Sequence, residues 1–342
     1  MGFLGKVDEQ GEVVWARTVG SAGYYFNGVA FDSEGNLYHG GIAVNQSPFG
    51  VLVQVLEPSS VFLAKLNSEG ELIWETYSHG ISLTFSVVDV TIDASGYAYM
   101  AGTFSSETFG FDQVTLTNRS TSSDAWSVRE AFLARFDSDG QLSWLRGTGG
   151  DVAESSYAVA TDADGNAYQL VQSNSEVMHV ADQSLTNSHP PISPNQNAYH
   201  GALAVYNPQG GLVKLEHIES GYDLGGMGVA VDAPLQNVYT AWAYGPYDTH
   251  VGDFQFTSQG SNDVLIAKLA LSPKPRLEIQ RTPGWVHVQW DTTDPFHLEW
   301  SDALGAAAMW VTNAEPVFVS GTTNTVNLPI TANRRFYRLQ GD

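Results

Sequence analysis

The sequence predicts an all-β chain, a ring of four-stranded sheets followed by a small β-sandwich. Three observations carry this: an internal repeat of two short hairpin sequences, strands rich in Val, Ile, Phe, Tyr and Trp, and a lack of helix signals before residue 270. A stretch of the form FLAKLNSEGELIW begins at Phe3-Leu4-Gly5-Lys6, Phe62-Leu63-Ala64-Lys65, Phe132-Leu133-Ala134-Arg135 and, weakened, Ala202-Leu203-Ala204-Val205. A fifth start, Leu265-Ile266-Ala267-Lys268, has no second half. The starts are 59, 70, 70 and 63 residues apart. Each of the four copies is followed by a second element: Asp32 to Asn36, Asp93 to Gly96, Asp162 to Asn166 and, degraded, Asp232 to Asn237. A period of this size means stacked or radially arranged units, none of which buries its apolar face alone.

Within a repeat the strands follow from the turns. Val29–Phe31 and Leu37–Gly40 flank Asp32–Asn36, and Phe62–Leu66 and Leu72–Thr76 flank Asn67–Gly70. Asp or Asn first and Gly late favours a type I turn closed by a left-handed glycine. Trp15, Trp74 and Trp144 share one position of the last strand, where a large ring fills the wedge between sheets. Four antiparallel strands repeated radially form a β-propeller blade. The count is two strands, three sets of four, then three, which makes four to five blade equivalents. The first pair completing the last blade would close the ring; otherwise the chain is an open arc. Exposed sheet edges invite aggregation, which favours closure.

These residues resemble the bacterial β-propeller repeat family, often called SBBP repeats. Its FLAKLDxxGxxxW hairpin followed by VAVDxxGNxYVTG is similar to residues 3–270, and Phe109-Gly110 with Leu116 adds to the likeness. Departures lie in the fourth copy, where Lys214 replaces the Trp and Leu235-Gln236 interrupts the turn, so that blade is expected to be the loosest.

Leu271-Ser272-Pro273-Lys274-Pro275 breaks pattern and charge. The expected domains are a propeller over 1–271, a linker over 272–275 and a sandwich over 276–342. Seven short strands are expected in the last: Leu277–Gln280, Trp285–Trp290, Phe296–Trp300, Met309–Thr312, Val317–Val319, Thr325–Leu328 and Phe336–Leu339. This run, ending Arg334-Arg335-Phe336-Tyr337-Arg338-Leu339, resembles the fibronectin-III-like modules that close many secreted proteins of Planctomycetes and Verrucomicrobia. The resemblance implies a surface or sorting appendage.

Composition narrows the function. The net charge is −22, and residues 1–274 hold 10 Lys and Arg against 30 Asp and Glu, so phosphate backbones are repelled and nucleic acid is excluded as a partner. Cysteine is absent, which removes disulfides and thiol nucleophiles and fits an exported chain. No apolar run reaches the ~18 residues of a membrane span. Met1-Gly2 runs straight into a repeat strand, so the expectation is an exported parent whose leader and first strands are removed, or an incomplete start.

Alternating strand direction puts the tight hairpins on one face and the remaining connections on the other. These are Ala43–Val61, Thr103–Ala131, Gln172–Gly201 and Ala243–Asp263 within blades, and Arg17–Asn27, Tyr77–Val87, Arg146–Tyr157 and Glu216–Gly228 between them. Long loops on one face of a rigid scaffold are where such folds carry function. Tyr24, Tyr25, Phe26, Phe85, Tyr157 and Tyr222 fall in the between-blade loops. They form either a stacking platform for a glycan or protein ligand, or packing between blades. Asp151 with Glu154 is the best carboxylate pair for acid–base work on a polysaccharide. Asp162-x-Asp164-Gly165-Asn166 starts like a calcium loop, but Val171 stands where the closing Glu belongs. His79, His200 and His217 lie near the long-loop face without a paired metal motif. Gly221, Gly225, Gly226 and Gly228 lack the Lys-Ser/Thr of a phosphate loop. The reading is a secreted or cell-surface, non-enzymatic binding or adhesion module without cofactor or metal. A polysaccharide-acting hydrolase or lyase and a structural surface-layer repeat are the alternatives.

Overall fold

Repetition in sequence becomes repetition of hydrogen bonds in the computed structural model. It describes residues 2–19, 25–44, 47–49, 59–80, 89–121, 128–189, 198–221, 223–232, 237–245, 248–251, 254–258, 260, 263–270, 277–291, 296–302, 309–321, 323–330 and 335–341. The chain divides into two compact units, Met1–Leu269 and Ala270–Asp342. All described regular structure is β, with no helix.

Five repeats make up the first unit. Repeat one is β1 (Gly2–Val7) and β2 (Val13–Val19). Repeat two is β3 (Tyr25–Phe31), β4 (Leu37–Ala43), β5 (Ser60–Leu66) and β6 (Leu72–Tyr77). Repeat three holds β7 (Asp89–Ile92), β8 (Ala98–Phe104), β9 (Thr108–Phe111), β10 (Val114–Thr117), β11 (Glu130–Phe136) and β12 (Leu142–Gly149). Repeat four holds β13 (Glu154–Thr161), β14 (Ala167–Ser173), β15 (Val177–Val180), β16 (Gln183–Thr186), β17 (His200–Tyr206) and β18 (Leu212–Ser220). Repeat five holds β19 (Leu224–Asp232), β20 (Asn237–Tyr244), β21 (Asp248–Val251), β22 (Phe254–Thr257) and β23 (Asp263–Ala270).

One turn recurs through the first four repeats and fixes their register. Asp8, Asp32, Asn67, Asp93, Asp137, Asp162 and Asn207 each accept, through the side chain, the N–H groups two and four residues ahead, at 2.8–3.1 Å. The glycine three residues on has φ between 77° and 83°, a conformation that costs other L residues about 1 kcal/mol or more.

A tryptophan clips each of the first three repeats to the next. Trp15, Trp74 and Trp144 stand opposite Lys6, Lys65 and Arg135 of β1, β5 and β11, the FLAK-type strand of their own repeat. Their indole N–H groups donate to the carbonyls of Ser68 (3.0 Å), Ser138 (2.9 Å) and Pro208 (2.9 Å), each in the turn one repeat ahead. The glycine of that turn lies under the ring: a Cβ on Gly70, Gly140 or Gly210 would come within 3.0, 3.0 or 2.9 Å of it. Trp144 is buried, and Trp15 and Trp74 are half-buried. At the fourth copy Lys214 takes this place opposite Val205 and pairs with Glu216, at 3.0 Å on the surface. Residues 233–236, with the interrupted turn, lie outside the described set. The cores form between successive sheets, with Tyr38 and Leu63 of repeat two in one cluster with Phe104, Phe132 and Phe136 of repeat three.

Two expectations are corrected. The within-blade connections are not plain loops, because each one described carries a hairpin: β9–β10, β15–β16 and β21–β22. These hairpins hydrogen-bond backwards. β15 of repeat four pairs with β12 of repeat three, and β21 of repeat five with β18 of repeat four, which makes six-stranded sheets β16-β15-β12-β11-β8-β7 and β13-β14-β17-β18-β21-β22. β9 makes the same backward step through a His79–Gly110 bridge just past β6. Each hairpin thus covers a fourth-strand edge that would otherwise stay open. Ring closure by the first pair is also not formed. β1–β2 is a separate two-stranded sheet with no bond to β19-β20-β23, and none of the sheets among the described residues is closed.

In the second unit, β24 (Glu278–Thr282), β25 (Trp285–Asp291), β26 (Phe296–Ser301), β27 (Val311–Thr312), β28 (Phe318–Ser320), β29 (Thr323–Pro329) and β30 (Phe336–Gly341) form two antiparallel sheets, β24-β25-β29-β28 and β27-β26-β30. Val288, Trp290, Val326 and Leu328 from the first share a core with Leu298, Tyr337 and Leu339 from the second.

Asp93 does more than close a turn: buried, it accepts from Tyr99 Oη at 3.3 Å and pairs with the Arg135 guanidinium at 3.5 Å. Asp137 serves its own turn. Denaturant unfolding should therefore give a loss of about 3–5 kcal/mol for Trp144→Ala and about 3 kcal/mol for Asp93→Ala, against about 1 kcal/mol for Asp137→Ala. Ala181 tops the β15–β16 hairpin at φ 52°, so Ala181→Gly should raise stability by about 1 kcal/mol in the same assay.

Candidate functional site

The connections opposite the tight turns are shorter than expected, because the strands run on. Arg146–Tyr157 shrinks to residues 150–153 between β12 and β13, and Glu216–Gly228 to residues 221–223 between β18 and β19. Tyr157 therefore sits in a strand. It is the extra residue of a bulge, since Ser156 and Ala158 pair with the adjacent Val171 and Leu170. The matching bulge residues are Asn27 and Met227, so Tyr157 does not share a repeat position with Tyr25 or Phe26. Its hydroxyl donates to Gln172 Oε1 at 2.6 Å, and its Cβ and ring leave a Cβ on Gly226 of the next repeat only 3.1–3.3 Å of room. That is packing between repeats. Tyr25 and Phe26 belong to β3, but their side chains, like Tyr24, Phe85 and Tyr222 as a whole, lie outside the described residues.

What the described strand ends do bring together is a buried polar cluster. Glu154 begins β13 opposite Ser173, which ends β14. Its Oε1 accepts from Ser173 Oγ at 2.8 Å and Ser175 Oγ at 2.6 Å, while Oε2 has no partner among the described residues. Burial pushes this carboxyl up to about 7, opposed by the two hydroxyls and reinforced by the charges of Glu130 and Asp151. Glu130 begins β11, is buried, is raised by burial, and accepts the Arg119 N–H. Two glycines make room: a Cβ on Gly149 would collide with the Glu130 carboxyl, and one on Gly150 would collide with Ser175 Oγ.

His200 begins β17 at the place Glu130 holds in β11. Its Nδ1 is 2.8 Å from His217 Nε2, one ring donating to the other, and His217 Nδ1 lies 3.9 Å from Glu219. Burial brings His200 down to about 3, with His217 adding to the shift, and burial lowers His217 as well. His79 stands apart and bonds Thr115 Oγ1 at 3.1 Å. Among the described residues no three His, Asp or Glu side chains are grouped to hold a metal.

The sequence-predicted acid–base pair is split. Asp151 is exposed and accepts the Glu176 N–H at 3.2 Å, whereas Glu154 has 0% exposure and touches no surface a substrate could reach. A general acid must contact the group it protonates, so this geometry makes Glu154 a fastening for the strand ends. Asp162 is likewise used up by its turn, with Oδ2 accepting from Asn166 Nδ2 (2.7 Å) and Tyr168 Oη (2.8 Å). Gly225, Gly226 and Gly228 lie inside β19.

Glu154 carries a pH signature. Its folded value, about 7, exceeds the ordinary 4.5, so between these values the folded chain holds a proton that the unfolded chain has released. Its contribution to stability therefore falls as pH rises through that window. Glu154→Gln keeps an acceptor for both serines and removes the titration. Chemical denaturation should show the variant gaining about 3 kcal/mol on the wild type between about pH 4.5 and about pH 8. A constant difference would place the titration elsewhere.

No family model matches the chain, and no curated protein matches it either.

Proposed function

We propose that this chain is a non-enzymatic binding or adhesion module of the cell surface or the exported fraction. In this reading its first unit is built from β-propeller blades of the SBBP type and its second is a fibronectin-III-like sandwich. The tryptophan clip supports the blade reading, because the same ring-to-turn contact joins three successive pairs of sheets. The second unit supports the sandwich: its four-stranded antiparallel sheet β24-β25-β29-β28 shares a core with the three-stranded β27-β26-β30. The absence of cysteine and the charge of −22 fit export and high solubility. No helix among the described residues is long and apolar enough to cross a membrane.

The observation that carries binding over catalysis is the burial of Glu154 and Glu130. Glu154, pushed up to about 7, and Glu130, also raised by burial, both face inward, while the connections around them change from copy to copy on a constant frame. The ligand class this suits is a glycan or a surface protein, held by loop aromatics such as Tyr24, Phe85 and Tyr222.

A glycan and surface-protein array probed with the purified chain tests the reading. Capture should be lost in a Tyr24→Ala, Phe85→Ala, Tyr222→Ala triple variant with Tm unchanged. Asp151→Asn with Glu154→Gln should bind as the wild type does. Polysaccharide turnover that disappears in the Asp151, Glu154 double variant would instead establish the enzyme.

A further inference from the structure

Each internal junction of the first unit buries the same two positions of the FLAK-type strand. One of them faces the preceding repeat: Phe62, at 0% exposure, shares a cluster with Leu4 and Trp15 of that repeat. Its neighbour faces the following repeat: Leu63, also at 0%, shares a cluster with Phe132, Ala134 and Phe136. Leu133 and Leu203, at the forward position of repeats three and four, are equally buried.

In repeats one and five one of these positions is open in each. The backward residue of repeat one is Phe3, 78% exposed, with Val7 beside it on the same face at 59%. The forward residue of repeat five is Ile266, 70% exposed, with Val264 at 60%, while backward-facing Leu265 is buried at 6%. Here two apolar side chains on one strand face are left open at positions that the internal junctions bury, which makes each face a candidate interaction surface. The two faces are the halves of an interface that the chain already makes internally, where Leu4 clusters with Phe62 and Leu63 with Phe132. They therefore fit each other and not themselves.

We propose that the forward face of repeat five, centred on Ile266, stacks on the backward face of repeat one, centred on Phe3, of a second copy of this chain. Such a contact is heterologous and joins copies head to tail. The partner is fixed by repeat equivalence alone and does not depend on the ligand reading above. Because each copy carries −22, association should tighten as salt screens the repulsion.

Sedimentation of the full chain between about 1 and about 100 µM tests it, a range that brackets a micromolar interface. The wild type should rise above its 37.0 kDa monomer mass with concentration. Phe3→Asp and Ile266→Asp should each remain monomeric with unchanged Tm, since both sites are exposed. An equimolar mixture of the two variants should form a one-to-one pair of twice the monomer mass and nothing larger, because one intact face remains on each. A wild type that stays monomeric at every concentration overturns the proposal, and so does association that survives either single variant. A mixture that remains monomeric overturns it too. A monomeric wild type destabilised by both substitutions would mean that the faces meet within one chain, which equally rejects the second copy.

Discussion

The stacking of the first four repeats depends on one contact, an indole resting on a glycine turn. A four-stranded sheet cannot bury both its faces, so each must be held against the next in a fixed register. The ring supplies apolar area and its N–H supplies direction, because Ser68, Ser138 and Pro208 each offer a turn carbonyl at one place. The turn glycine is constrained twice, by a left-handed φ and by the ring above it. At Gly70, Gly140 and Gly210 any side chain would meet the tryptophan as well as strain the backbone.

Buried polar groups follow from the same geometry. Where strands of neighbouring repeats converge, backbone ends and inserted hairpins need side-chain partners away from water. Glu154 ties Ser173 and Ser175 to the start of β13, Glu130 takes the Arg119 amide, and His200 leans on His217. These fastenings differ between repeats, whereas the tryptophan clip is the same at the first three junctions and gives way to Lys214 only at the fourth.

The repeated parts were legible in the sequence because they obey local rules. Asx turns ending in glycine, the alternation of Phe62-Leu63-Ala64-Lys65 and the spacing of the three tryptophans each have a short-range signature. The seven strands of the second unit were visible for the same reason. The inserted hairpins were not, because four-residue strands such as Val114–Thr117 and Gln183–Thr186 sit among Ser, Thr, Asn and Asp that read as loop. A signal existed in Leu116-Thr117-Asn118 and Leu185-Thr186-Asn187, the same three residues at the same place in successive repeats. The burial of Glu154 was hidden because an Asp/Glu-rich chain makes any one carboxylate look like surface. Its only local hint is the pair Gly149-Gly150, which clears space for the Glu130 carboxyl and Ser175.

The backward pairing of the hairpins bears on how the chain is made. During synthesis a repeat emerges with its fourth strand still uncovered, and β12 gains β15, or β18 gains β21, only after the following repeat has begun to appear. Completion of each sheet thus lags the ribosome by part of a repeat, and no repeat is finished on its own. The same overlap turns a row of neighbours into a single cooperative block, since melting one repeat strips an edge from the one before it.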